Sequence, residues 1–207
     1  MSILRFDEKE LLARLRALPN HLRVVFGAAC AERQLPNYLR FSTRTHQGNP
    51  DALAHTLGCL WDDALGKAAP DRQLRRDLDT CMSLLPDEDS AEPDVVYPAE
   101  DAVSAIVYAI SARLDADPLQ AVWAAQAADD SLDHHVQEIL GIESFGRREE
   151  ERLLAHPLLQ AEFQRQQADL SQLEQLAKNP SEEKLGIAEL HRRAQLDAQV
   201  FFGSGAV

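Results

Sequence analysis

Acidic and imidazole side chains one helical turn apart come nearest to a metal-binding pattern in this sequence. Asp51 and His55 are four residues apart, as are Asp130 and His134, and this spacing places each pair on one face of a helix. Asp51 falls in an expected first helical turn, where a carboxylate favours the helix dipole. The Asp130–His134 pair lies in a polar run typical of a solvated face. The Glu-x-x-His pairs of di-iron bundles and the His-Glu-x-x-His pattern of zinc proteases are absent. We therefore predict no metal site and no cofactor.

Nucleophile signals are weak, since the sequence has no Gly-x-Ser-x-Gly elbow and no phosphate-binding glycine loop. The three cysteines, Cys30, Cys59 and Cys81, lie in apolar helical contexts without Cys-x-x-Cys spacing. This favours small core residues in a reducing cytoplasm. The charged N-terminus, which lacks the apolar stretch of a secretory signal, also predicts a cytoplasmic location. A nucleophilic Cys–His pair of Cys30 with His21 or His55 remains an alternative, but we assign no catalytic residue.

Two segments combine polar and aromatic residues around helix breaks. The first, Ala31–Phe41 (AERQLPNYLRF), contains Glu32, Arg33, Asn37 and Tyr38. One interpretation is a structural corner, in which a proline begins a new turn of helix and Asn37 caps it. The other interpretation is a polar recognition patch, and the sequence leaves both open.

The second segment, Asp94–Ile106, contains Tyr97 before a proline and Asp101 near the start of an apolar helix. One interpretation is that its carboxylates favour the start of the helix. The alternative is that Asp101 enters the interior and pairs with Arg33, because a buried carboxylate needs such a partner. Together the two segments give one candidate binding patch: Glu32, Arg33, Asn37, Tyr38, Tyr97 and Asp101.

The elements that must position these segments are helices. Apolar residues recur at helical spacing along the chain, and no segment shows sustained alternation with period two. Caps are expected at Asp7, Asn49 and Asp117, with stops at Gly66 and Gly141. Residues 102–112 are apolar nearly all round, which predicts a central helix over about 98–114.

We therefore predict an all-α fold, a single-domain bundle of about eight or nine helices over residues 1–207. The alternative is a core bundle over 1–141 with a C-terminal helical hairpin over 142–207 packed on it. We expect one helix over 21–34 and a separate one over 37–46, and a last helix that begins at Asn179-Pro180. Residues 86–96, which contain five carboxylates and no basic side chain, are expected to form a long loop of undetermined role.

Charge limits the classes of partner. The 207 residues include 34 acidic and 21 basic side chains, a formal net charge of −13, which disfavours nucleic acid and anionic membranes. The most apolar stretches, 24–31 and 102–112, are too short to span a bilayer. An acidic helical surface with an acidic loop is suited to docking a protein partner, and a long helix over 158–178 leaves a homo-oligomer open.

The two polar segments also carry a family resemblance. AERQLPNYLRF, followed about sixty residues later by VYPAEDA, resembles the YjaG-like family of bacterial proteins, known as domain of unknown function 416. The resemblance extends over about residues 11–198. It implies an all-helical fold and, through genome neighbourhood with histidine kinases, a link to signalling. It supplies no catalytic residues, only shared motif positions: Glu32, Arg33, Pro36, Asn37, Tyr38, Tyr97, Pro98 and Asp101.

From these observations we predict a non-catalytic interaction or regulatory protein, linked to bacterial signalling through an unidentified protein partner. The alternative is a helical small-ligand binder or enzyme with a polar site around Arg33, Asn37 and Asp101.

Overall fold

The computed structural model describes residues 3–87, 90–142 and 146–203, with side chains to residue 199. Within these ranges the chain forms nine α-helices and no β-strand, which confirms the predicted all-α fold. The helices are α1 (Glu8–Arg16), α2 (Asn20–Thr45), α3 (Pro50–Ala64), α4 (Asp71–Ser83), α5 (Pro93–Asp115), α6 (Pro118–Leu140), α7 (Arg147–Leu154), α8 (Pro157–Leu176) and α9 (Glu183–Gly203).

The predicted central helix is α5, which packs most extensively against α2 and α6. Small side chains allow this close packing: a Cβ added at Gly27 of α2 would lie 3.5 Å from Ala109 and 3.6 Å from Ala124. Among the described helices, α5 has the length and apolar composition to cross a membrane. Since 61% of its apolar window is buried inside the bundle, α5 has the burial expected of a core helix.

The predicted break at Pro36 is wrong, because α2 runs continuously from residue 20 to residue 45. A proline inside a helix removes one backbone hydrogen bond and costs about 3 kcal/mol. Tertiary contacts on both sides of Pro36 offset this cost. Arg33 bonds to α8, and Asn37 bonds to α6. Fifteen α2 residues are buried, so packing outweighs the local proline signal.

The start of the central helix is also earlier than predicted. It begins at Pro93, a favourable first position, and Pro98 lies inside it. Val95 and Val96 are only 2% and 0% exposed, and their burial anchors the first turn. Residues 93–96, predicted as loop, are therefore helical, while residues 88 and 89 of that acidic loop lie outside the described ranges. At the other end of the chain, α9 begins at Glu183 after a turn that contains Pro180.

The predicted helix caps are confirmed. Asp7 accepts a hydrogen bond from the backbone N–H of Glu10 at 3.0 Å, and Asn49 accepts one from Ala52 at 3.1 Å. Asp117 caps α6 at 3.0 Å, and Gly141 ends it in the left-handed conformation with φ of 60°. These caps satisfy backbone groups that a helix end leaves unpaired.

The C-terminal helices share the main core. Leu170 and Leu173 of α8 and Ile187 and Leu190 of α9 belong to the same apolar cluster as α2 and α5. A second, smaller apolar cluster joins α6, α7 and α8. The alternative division at residue 141 stays a prediction.

Candidate binding groove between α5 and α6

Arg33, from the first polar segment, is an internal residue that is 3% exposed. It donates to Glu162 at 2.7 Å and to Asp169 at 2.9 Å, both on α8. Burial opposes the charge of Arg33, but these two carboxylates outweigh burial and hold its pKa well above the usual value. Asp169 also accepts from Arg193 of α9 at 2.6 Å. The predicted pairing of Arg33 with Asp101 is therefore wrong.

The polar side-chain groups of Asn37 and Tyr38 also make hydrogen bonds within the chain. The Asn37 amide donates to Gln34 at 3.0 Å and to Ser131 of α6 at 2.7 Å. The Tyr38 hydroxyl donates to the backbone carbonyl of Leu84 at 2.9 Å, and its side chain is fully buried. These bonds hold Asn37 and Tyr38 inside the bundle. The cap predicted at Asn37 is wrong, because α2 is continuous and the Asn37 amide bonds to side chains instead.

Glu32 of α2 faces α3 and α9. It is 8% exposed and accepts from the Trp61 indole N–H at 3.0 Å. The ring of His191 stacks on Trp61 at 4.3 Å, with Nε2 3.9 Å from a Glu32 carboxylate oxygen. Burial lowers the pKa of His191, and Glu32 opposes that shift. Glu32 also lines a shallow, mostly apolar groove of about 430 Å³ between α2, α3 and α9.

The second polar segment contributes to a different cavity. A groove of about 360 Å³ runs between α5 and α6, and we call it the α5–α6 groove. Its lining combines carboxyl, hydroxyl, amide and aromatic side chains: Asp101, Ser104, Tyr108, Trp123, Gln126, Ala127 and Asp130. The volume falls within the range of small-molecule binding sites.

Helical spacing explains why these residues meet. Asp101, Ser104 and Tyr108 follow one another at intervals of three and four residues, so they share a face of α5. Trp123 and Asp130 are seven residues apart on α6 and share a face in the same way. The chain reverses between the two helices, which brings Tyr108 beside Trp123 with ring centroids 5.6 Å apart. The groove therefore has an aromatic end at Tyr108 and Trp123 and an acidic end at Asp101 and Asp130.

A second aromatic pair extends the same face beyond the groove. Tyr97 of α5 and His134 of α6 have ring centroids 5.3 Å apart. Tyr97 is 42% exposed and Trp123 is 37% exposed, so both can reach a molecule that docks along these helices. Of the predicted patch, Tyr97 and Asp101 thus lie on one surface, whereas the other four residues lie elsewhere.

Asp101 is the unusual group of the groove. Its Oδ2 atom is shielded from solvent and has no hydrogen-bond partner in the described part of the chain. Burial, together with the negative charges of Asp130 and Glu100, raises the pKa of Asp101 to about 8. Burial also raises the pKa of Asp130, although His134 opposes that shift. Asp101 is therefore mostly protonated at neutral pH when the groove is empty.

The described residues contain no group of three or more His, Cys, Asp or Glu side chains able to hold a metal ion. The sequence left open a Cys–His pair at Cys30, but the structure places such a contact at Cys59, whose sulfur is 3.7 Å from His55 Nε2. Cys30 instead contacts Arg33, and burial raises the pKa of its thiol. The interval of four residues between His55 and Cys59 was the available sequence signal.

Sequence reasoning missed two further sets of residues. The acidic partners of Arg33 lie on the buried stripe of α8, since Glu162 and Asp169 are seven residues apart. Their helical spacing within an apolar stripe was a usable signal. Tyr108, Trp123 and Asp130 were not linked to Asp101, although polar and aromatic residues recur at helical intervals on both α5 and α6.

We call the buried ion pairs of Arg33 with Glu162 and Asp169 the buried ionic layer. The described helices form an all-helical bundle around it, and comparison with known proteins identifies the family of this bundle. The family model described as "Protein of unknown function (DUF416)" matches residues 10–197. The chain belongs to this family, which confirms the resemblance seen in the two polar segments.

Two relatives show how far the similarity extends. The uncharacterized protein YjaG of Escherichia coli K12 is 30% identical over 110 residues, which cover 52% of this chain and 54% of that protein. The match thus spans about half the length of this relative. The crystal structure of a DUF416 family protein from Shewanella baltica OS155 gives a TM-score of 0.76 at 24% identity, covering 88% of this chain and 93% of that one. The second likeness shows a shared fold.

Proposed function

We propose that this protein is a non-catalytic binding protein of the cytoplasm whose α5–α6 groove receives a positively charged group. That group belongs to a small ligand or to a protein partner. A role in bacterial signalling, implied by the family resemblance, would then depend on occupancy of this groove. The proposal keeps the predicted interaction function and, of the six predicted patch residues, places Asp101 in its site.

The observation that carries the proposal is the carboxyl group of Asp101. This group lies in the wall of the groove, and one of its oxygens is buried without a hydrogen bond. Arg33 pairs with Glu162 and therefore does not neutralise Asp101. A carboxylate in such a place needs a compensating charge. A cation that enters the groove supplies this charge, which no basic side chain of α5 or α6 lining the groove provides.

The aromatic end of the groove supports the same class of ligand. Tyr108 and Trp123 present π-systems beside the carboxyl groups, and organic cations are attracted to aromatic faces by about 0.5–2 kcal/mol. The formal charge of −13 further favours approach of cations, since long-range attraction raises association rates.

The alternative site around Arg33 and Asn37 has less support. Both side chains make their hydrogen bonds inside the bundle and have little exposed surface. A ligand there would have to displace those bonds, at a cost of about 1–3 kcal/mol for each buried group left unpaired.

Tryptophan fluorescence tests the proposal. The chain has two tryptophans: Trp61 is 1% exposed, while Trp123 lines the groove. We expect n-butylammonium chloride to change the emission of Trp123 in a saturable way, and sodium chloride of equal ionic strength to leave it unchanged. Asp101→Asn should weaken the response at least tenfold, because the compensating charge is lost. The matched control Asp51→Asn, on an exposed residue of α3, should leave it intact. Equal, non-saturating responses to both salts would contradict the proposal.

A further inference from the structure

We infer that the α5–α6 groove selects a primary ammonium group carried on an apolar chain, and that this ligand enters in exchange for a proton held by Asp101. The inference rests on the proposed function, since it specifies the ligand and the regulation of the same site. Three features of the groove support it: its oxygen atoms, its aromatic walls and the charges around Asp101.

The oxygen atoms suit an ammonium group. The groove is lined by the carboxyl groups of Asp101 and Asp130 and by the hydroxyl of Ser104. A primary ammonium has three N–H donors and no acceptor, so it matches a small set of oxygen acceptors.

The aromatic walls require an apolar chain on that ammonium. Asp101 and Tyr108 are seven residues apart on α5, about 10 Å along a helix. Trp123 faces Tyr108 from α6 at that end. A ligand whose charge lies at Asp101 therefore extends an alkyl chain toward the two rings. Lysine side chains and free alkylamines share this chemistry.

Other cations fit less well. A quaternary ammonium has no donor for the carboxyl oxygens, although it would contact the rings. A guanidinium carries five donors in a planar fork, more than the groove can satisfy at one point. Metal ions gain nothing from the aromatic walls, and within the described ranges the acidic residues of the groove do not form a group of three or more metal ligands.

The charges around Asp101 explain the exchange of a proton. α5 packs against α2, α3, α4 and α6, and among the described residues the charges that act on Asp101 are Asp130 from α6 and Glu100 from its own helix. Elsewhere on α6, burial together with Asp130 and Asp133 raises the pKa of Asp129 to about 8, and His134 acts on Asp130. With negative neighbours and a buried oxygen, the carboxyl group is neutral in the empty groove. When the ammonium binds, the carboxyl O–H bond breaks, the proton passes to the solvent and the carboxylate pairs with the ligand.

The exchange has a measurable consequence for affinity. The pKa of Asp101 is about 8 in the empty protein, whereas an alkylammonium stays charged through this range. Binding should therefore become about tenfold tighter for each pH unit from 6 toward 8 and level off above it. Close to one proton should be released per ligand at pH 7.

Isothermal titration calorimetry tests the inference on the full chain. The probe is n-butylammonium chloride, titrated at pH 7 in phosphate and in Tris, whose ionisation enthalpies differ. We expect a buffer-dependent heat that corresponds to nearly one released proton, falling to about a tenth at pH 9. Asp101→Asn should bind weakly, release no proton and show no pH dependence, while Asp51→Asn should behave as wild type. n-Butyltrimethylammonium and n-butylguanidinium should bind at least tenfold more weakly than n-butylammonium.

The outcomes separate the two proposals. If none of the three cations binds, the proposed function fails and the inference fails with it. If n-butylammonium binds without proton release, or if the quaternary ion binds equally well, the inference is overturned while the proposed function stands. Binding without proton release by the wild type overturns the exchange even where Asp101→Asn does not fold. Nα-acetyl-lysine methylamide distinguishes the sources: equal or tighter binding identifies a partner's lysine, and tenfold weaker binding identifies a free alkylamine.

Discussion

Replacement of Asp101 by asparagine should stabilise the empty protein, and by an amount that depends on pH. The folded-state pKa of Asp101 is about 8, against an ordinary value of 3.8. A carboxyl group with a raised folded pKa costs no stability below pH 3.8, and its cost grows as pH rises from 3.8 to about 8. One pKa unit corresponds to 1.36 kcal/mol, so the cost at pH 7 is about 4 kcal/mol as an upper bound. Asparagine has the shape of the neutral acid and removes this cost.

Urea unfolding at pH 5, 6, 7 and 8, followed by far-UV circular dichroism, measures the effect. The difference in free energy of unfolding between Asp101→Asn and wild type should increase by up to about 1.4 kcal/mol per pH unit up to pH 8. Asp129, whose pKa burial also raises to about 8, is present in both proteins, so its contribution cancels. Asp51→Asn should show a difference that is constant over this range. A constant difference for Asp101→Asn as well would refute the reasoning.

Four further predictions concern the rest of the fold. Arg33→Met should lower the free energy of unfolding, measured in urea titrations, by about 3–5 kcal/mol, because it leaves two buried carboxylates without their shared cation. A loss below 1 kcal/mol would contradict the buried ionic layer. Gly58→Ala, at an exposed helical site with open space around it, should raise the melting temperature through a gain of about 0.5–1 kcal/mol. By contrast, Gly48→Ala, at φ of 78° and against a buried tyrosine hydroxyl, should lower it. A disulfide reagent should modify only Cys59 in the native protein, because Cys30 and Cys81 are both fully buried. Rapid native modification of Cys30 or Cys81 would contradict this burial.

The helices and their caps could be predicted from the sequence because both are set by local physics. Asp7, Asn49 and Asp117 cap helices through hydrogen bonds to residues two or three positions later. Pro36 and Pro98 could not be placed in the same way. Their local effect is to end a helix, but the burial of neighbouring residues and, at Pro36, hydrogen bonds on both sides outweigh this effect. These contacts are not visible in local sequence.

The candidate site was only partly predictable. Asp101 and Tyr97 were selected because charged and aromatic residues stood at the start of an apolar helix, and both lie on one surface. The partners of Arg33, Glu162 and Asp169, are 129 and 136 residues away along the chain. No spacing rule links positions so distant, and the pairing depends on how α8 packs against α2.

The buried ionic layer also clarifies what the family motif does in this chain. Arg33 and Asn37 tie α2 to α8 and α6, so they hold together the helices around the bundle core. The groove lies on another face of α6, where Asp130 and Trp123 point to α5. We therefore expect substitutions at the motif arginine to act on stability, and substitutions in the groove to act on binding.

The protonation state of Asp101 tests the central claim most directly. Carbon-detected NMR of protein labelled with ¹³C at aspartate carboxyl carbons can follow this residue, assigned by the signal that Asp101→Asn removes. In the empty protein the titration midpoint should lie near pH 8, and saturating n-butylammonium should move it down by at least one unit. A midpoint near 4 in the empty protein, unchanged by the amine, would contradict the account.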